Sequence, residues 1–111
     1  HGTLIFTGAS ASLRGKANFG AFNSAKGALR NLAQAIAKEY ADQSIHVGHV
    51  IIDGGLAGDK IKNRLSDFDQ RVHDGKLMNI ESVTDAYMFL YNQNQNAWSF
   101  ELDIRTSKEN W

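Results

Sequence analysis

Two short runs, Leu-Ile-Phe-Thr at residues 4–7 and Ile-His-Val-Gly-His-Val-Ile-Ile at residues 45–52, flank one long stretch of helical periodicity at residues 19–42. This arrangement constrains the fold more than any other feature of the chain. The first run, flanked by His1-Gly2 on one side and Gly8 on the other, reads as a strand buried on both faces. The second ends in the breaker Asp53-Gly54-Gly55 and reads as another strand. Strands that alternate with helices pair in parallel and carry helices on the faces of the sheet.

The long stretch places Leu29, Leu32, Ile36 and Tyr40 at spacings of three and four, which predicts one apolar helical face. Ala21, Ala25, Ala28, Ala33, Ala35 and Ala37 add helix propensity and small contact surfaces, and Gly27 is expected where a neighbour packs closely. A second helix is predicted over residues 82–91, with Val83, Ala86, Met88, Phe89 and Leu90 as its apolar set. Trp98, Phe100, Leu102 and Ile104 alternate with polar residues, which predicts a third strand with two unlike faces. Between these elements, residues 58–77 are polar with apolar anchors at Ile61, Leu65, Phe68 and Val72. A mobile helix–loop–helix insert is the expectation there.

The expected fold is therefore α/β, part of a doubly wound, Rossmann-like three-layer sheet with about three parallel strands flanked by helices. Three strands are few for such a sheet, whose mean is about five or six. Together with a first residue that is histidine, this reads as a fragment of a larger fold, residues 1–111 forming a single unit. Twelve basic and twelve acidic side chains leave no net charge to draw the chain to nucleic acid or an anionic membrane. No apolar run of about eighteen residues spans a bilayer, and no signal peptide is read at the start. Cysteine is absent, which excludes disulfides and thiolate chemistry and fits a reducing, cytoplasmic setting. His46 and His49, three apart on a strand, point to opposite faces and cannot share one metal ion. Proline is absent too.

Strand 4–7 runs into Gly8-Ala9-Ser10, Phe22-Asn23-Ser24-Ala25-Lys26 opens the long helix, and the second strand runs into Asp53-Gly54. In that order the chain resembles the C-terminal half of the short-chain dehydrogenase/reductase family, from its fifth strand to its seventh. The resemblance implies NAD or NADP for the complete fold, none for the isolated chain, and a Tyr-x-x-x-Lys motif on the long helix. The tyrosine exchanges a proton with the substrate oxygen, the lysine lowers its pKa and holds the nicotinamide ribose, and a serine bonds the same oxygen. Here Lys26 keeps the lysine position, Phe22 replaces the tyrosine, and the family's spacing puts Ala9, beside Ser10 and Ser12, at the serine.

Site expectations carried over are Lys26 and Ser10 for catalysis, and Lys26, Asp53, Gly54 and Leu56 for the cofactor, with Asp53 where the family has proline. Phe22 itself reads most simply as a core residue. Thr7-Gly8-Ala9-Ser10 also looks like the opening of the family's glycine-rich nucleotide loop, but Ser12 and Arg14 stand where its later glycines would fall. The nucleotide half is accordingly expected outside these residues, and the unpaired first strand implies a homo-oligomer or a companion chain carrying that half. Two functions stay open: an oxidoreductase active when so completed, its insert 58–77 on the substrate side, or a catalytically inactive remnant serving as an oligomerisation or interaction module.

Overall fold

The computed structural model describes all 111 residues. Three strands form one parallel sheet in the order β1 (Gly2–Ala9), β2 (Ile45–Ile52), β3 (Glu101–Ile104). β1 pairs with β2 along its whole length, from Gly2 opposite Ile45 to Ala9 opposite Ile52. β3 pairs with the second half of β2, from His49 opposite Glu101 to Ile52 opposite Ile104. The central strand β2 is buried from His46 to Ile51, as a parallel sheet covered on both faces requires. The outer edge of β1 pairs with nothing.

Helix α1 (Gly20–Tyr40) covers one face, against β1 and β2. Its sheet-facing row differs from the expected one. Asn23, Lys26, Arg30, Ala33 and Ala37 point inward, Leu29 and Ile36 flank them half-buried, and Leu32 and Tyr40 are exposed. The small side chain of the fully buried Ala33 lets the helix lie close. The Arg30 guanidinium then reaches β3, where it donates to both carboxylate oxygens of Glu101 at 2.8 and 2.9 Å. Glu101 also accepts from Nδ1 of His49, at 3.0 Å, a side chain with no exposed surface. The far nitrogen of that ring, Nε2, has no partner and lies against Gly8, where any Cβ would overlap the imidazole. Gly8 is thus required by packing.

The other face carries α4 (Ile80–Tyr91), which begins two residues before the expected helix because the Asn79 side chain caps it, accepting from the Ser82 N–H at 3.1 Å. Its buried Leu90 approaches Gly48 of β2. Of the expected apolar set, Met88 and Phe89 face outward. Two short helices, α2 (Asp59–Lys62) and α3 (Phe68–His73), occupy the expected helix–loop–helix stretch.

β3 is shorter than the alternation from Trp98 predicts. The Gln93 side chain accepts the Ser99 N–H and donates to its hydroxyl, both at 2.9 Å, which takes this backbone out of the ladder. Trp98 instead stacks on His46 at 4.8 Å, and His46 donates through Nε2 to the Ser99 carbonyl. The two β2 histidines do lie on opposite faces, one against Trp98 and the other against Glu101.

The hydrogen bonds from Arg30, then from His49, hold the Glu101 carboxyl below the ordinary glutamate range. A carboxyl whose folded pKa is depressed contributes stability above its unfolded value, near 4.3, and loses it as pH falls through the folded value. Glu101→Gln should therefore be less stable than the parent near neutrality. The gap measured by urea unfolding should close in acid, below about pH 4; a gap of constant size across that range would contradict the assignment.

Candidate functional site

Parallel α/β sheets bind ligands beyond the carboxyl ends of their strands. At that end of this sheet, three loops converge on Asp53, the residue after β2, which is only 3% exposed. Its backbone N–H donates to the carbonyl of Ile104, the last residue of β3, at 2.9 Å. Its side-chain Oδ2 accepts from Arg105 Nε at 3.1 Å and from Arg14 Nη2 at 3.2 Å. One carboxylate thus ties the loop after β1 and the segment after β3 to the end of β2. Arg105 also donates to Asp103, and that bond, together with the one to Asp53, raises its pKa above the ordinary value. The Trp111 ring lies 3.8 Å from the Arg105 guanidinium, close enough for a cation–π contact.

The loop between β1 and α1 is organised by Asn23. Its Oδ1 accepts the Lys16 N–H at 3.0 Å, and its Nδ2 donates to the carbonyls of Ala11 and Arg14 at 3.1 and 2.7 Å. Residues 10–19 are therefore folded onto the first turn of α1. Within them Ser12 donates its hydroxyl to the Ala9 carbonyl, while the Ser10 hydroxyl has no partner.

A groove of about 390 Å³ lies between this loop, α1 and the C-terminal segment, and it brings together Ser10, Phe22 and Asp53. Arg14, Lys16, Phe19, Asn23 and Glu109 complete most of its wall. Phe22 is 48% exposed. It is not a core side chain, because α1 turns the row containing Asn23 and Lys26 toward the sheet and leaves Phe22 beside it at the groove. Lys26, four residues on, donates from Nζ to the Thr7 carbonyl near the end of β1 at 3.2 Å, with the Phe22 ring 6.0 Å away. Gly54 has a φ of 123°, a left-handed conformation suited to glycine, and a Cβ there would lie only 2.6 Å from the Glu109 carboxylate. Leu56 lies further along the loop, in an isolated parallel bridge to Met78. The N–H groups of Gly54, Gly55 and Leu56 donate to nothing in the protein. Of the side chains named from sequence, Ser10 and Asp53 share the groove, while Lys26 and Leu56 do not line it.

Sequence reasoning missed Asn23, Arg105, Glu109 and the pairing of Arg14 with Asp53. The available signal was a charged residue just beyond each strand end: Arg14 in the loop after β1, Asp53 after β2 and Arg105 after β3. The clamp makes unequal demands on its members. Asp53→Ala removes the carboxylate shared by two guanidiniums, leaving Arg105 only Asp103, and should destabilise the chain more than any change at Arg14 does, by chemical denaturation. Arg14→Gln should cost about 1 kcal/mol or less, because Arg105 still pairs the carboxylate. Equal losses would show that Asp53 does not depend chiefly on Arg105.

No family model matches the chain, and no curated protein matches it. Solved structures do. A short-chain dehydrogenase from Rhodopseudomonas palustris is 39% identical, with a TM-score of 0.65, over 93% of this chain and 37% of that one. An NADPH-bound short-chain oxidoreductase from Pseudomonas aeruginosa PAO1, described as containing an atypical catalytic center, is 14% identical. It has a TM-score of 0.77 over 98% of this chain and 46% of its own. A 3-ketoacyl-(acyl-carrier-protein) reductase from Brucella melitensis, complexed with NADH, is 20% identical, with a TM-score of 0.70 over 92% of this chain and 42% of its own. The chain thus spans less than half the length of each. With its three parallel strands, flanking helices and 39% identity to one such enzyme, it carries part of a short-chain dehydrogenase/reductase fold.

Proposed function

We propose that these residues form the nicotinamide end of an NAD(P)-linked oxidoreductase whose nucleotide-binding half lies outside them. The observation that carries this reading is the placement of Lys26. It sits four residues past Phe22 on α1 and reaches the end of β1 at the carboxyl side of a parallel sheet. Similar folds bound to NADPH and NADH support the choice of cofactor. The residues present fit such a group, since the unpaired N–H groups of Gly54, Gly55 and Leu56 form a run of donors on the loop after β2. In this reading the ammonium of Lys26 would hold the ribose and the Leu56 N–H the carboxamide. The bound cofactor supplies or accepts the hydride.

The rest falls to side chains of this chain. Phe22 has no proton to give, and Ala9 has no hydroxyl with which to bond a carbonyl oxygen. Tyr87, the tyrosine nearest this end of β1, bonds the Thr7 hydroxyl at 2.6 Å on the α4 face of the sheet and does not enter the groove. The free hydroxyl of Ser10 is the one hydroxyl on the groove wall and is placed to turn toward a substrate oxygen. An aliphatic hydroxyl is a far weaker acid than a phenol, so carbonyl reduction would be slow. The insert carrying α2 and α3 would cover the substrate, and a cytoplasmic location fits a cysteine-free chain of this kind. No helix of the structure is long and apolar enough to cross a membrane.

The same two residues, Phe22 and Ala9, favour a second reading, in which the chain does no chemistry and serves association. The unpaired edge of β1 and the exposed Leu4 and Leu32 offer surface for a second copy, or for a companion chain carrying the other half. One substitution separates the readings. In the longer protein, Phe22→Tyr should raise NADPH- or NADH-dependent reduction of simple carbonyls about a hundredfold or more, the usual contribution of a positioned general acid. An unchanged rate with cofactor bound would favour the association module.

A further inference from the structure

We propose that the groove is an anion site, taking a small carboxylate with an apolar tail, and that Arg14 is its recognition residue. This rests on the oxidoreductase reading only in treating the groove as a substrate site. The first observation is how the charges on the wall are exposed. Asp53 is nearly fully buried and answers two guanidiniums at once. Lys16 makes no ion pair, its ammonium lying 4.9 Å over the ring of Phe19. Glu109 is the only other acid on the wall. The wall thus balances two bases, Arg14 and Lys16, against two acids, but both bases are exposed while Asp53 is sealed, so an entering ligand meets two cations and one accessible carboxylate.

The second observation is the unspent valence of Arg14. Only Nη2 of its fork touches Asp53, at 3.2 and 3.4 Å, while Nε and Nη1 donate to nothing. Its side chain is 48% exposed. A guanidinium held by one corner on a buried carboxylate is aimed, yet still has the paired donors that match a carboxylate in two parallel bonds. Because Arg105 keeps Asp53 paired, Arg14 can turn to a ligand without stranding that buried charge. The half-exposed rings of Phe19 and Phe22 supply an apolar wall beside it, and about 390 Å³ lies at the small end of ligand pockets. Glu109, across the groove by Gly54, works against an anion and so sets a ceiling on affinity.

The test is an NMR titration of the 111-residue chain with phenylacetate and, separately, with its uncharged analogue phenylacetamide. Phenylacetate should move the Arg14 side-chain resonance and the amides of Lys16 and Phe22 saturably. It should bind about tenfold or more tightly than the amide, as expected of a charge-assisted pair. Arg14→Gln should abolish that preference while its spectrum stays dispersed, and Glu109→Gln should strengthen phenylacetate binding. Equal affinity for the two probes, shifts confined to residues outside the groove, or a preference that survives in Arg14→Gln would overturn the proposal. No nicotinamide is present in the titration. A chain that never reduces a carbonyl would still show the preference, and its loss would leave the cofactor reading standing.

Discussion

The carboxylate of Asp53 is the point on which the working end of this sheet depends. It is almost sealed from water, and a buried carboxylate is tolerated only when its charge is answered. Arg105 and Arg14 answer it from the segments after β3 and β1, so neutralising one charge at the end of β2 also fixes the position of both neighbouring segments. The groove exists because those segments are held apart and in register. Its wall carries Arg14 from one and Glu109 from the other, with Asp53 between them.

A second ionic network keeps α1 in place. Lys26 and Arg30 lie one turn apart on the same face of the helix. Lys26 reaches the end of β1, and Arg30 crosses to Glu101 at the start of β3, whose carboxylate also receives the buried His49 of β2. The helix is therefore stapled across all three strands by polar groups, while small residues such as Ala33 fill the space between. This explains why its apolar residues Phe22 and Leu32 remain available to solvent or to a partner.

The architecture was legible in the sequence because it follows from period and length. Two short runs around a long helical repeat leave few alternatives to parallel pairing, and the order and bounds of β2 follow from its flanking breakers. The inward face of α1 was not legible, because hydrophobic periodicity marks Leu29, Leu32, Ile36 and Tyr40, whereas the sheet is met by Asn23, Lys26, Arg30 and alanines. The length of β3 was hidden for a related reason, since a single glutamine side chain, Gln93, replaces the ladder at Ser99. At the site, the i, i+4 relation of Phe22 and Lys26 could be read directly. The clamp on Asp53 could not, because it joins residues 39 and 52 positions apart and only the folded sheet brings them together.

The central claim is that these residues supply the nicotinamide end of a dinucleotide site and not the nucleotide end. Fluorescence titration of the 111-residue chain with NADH and with NADPH tests it most directly. The account predicts no saturable binding stronger than about 100 μM, roughly 5.5 kcal/mol, for the chain alone. Tight, saturable binding of either nucleotide by these residues alone would contradict it.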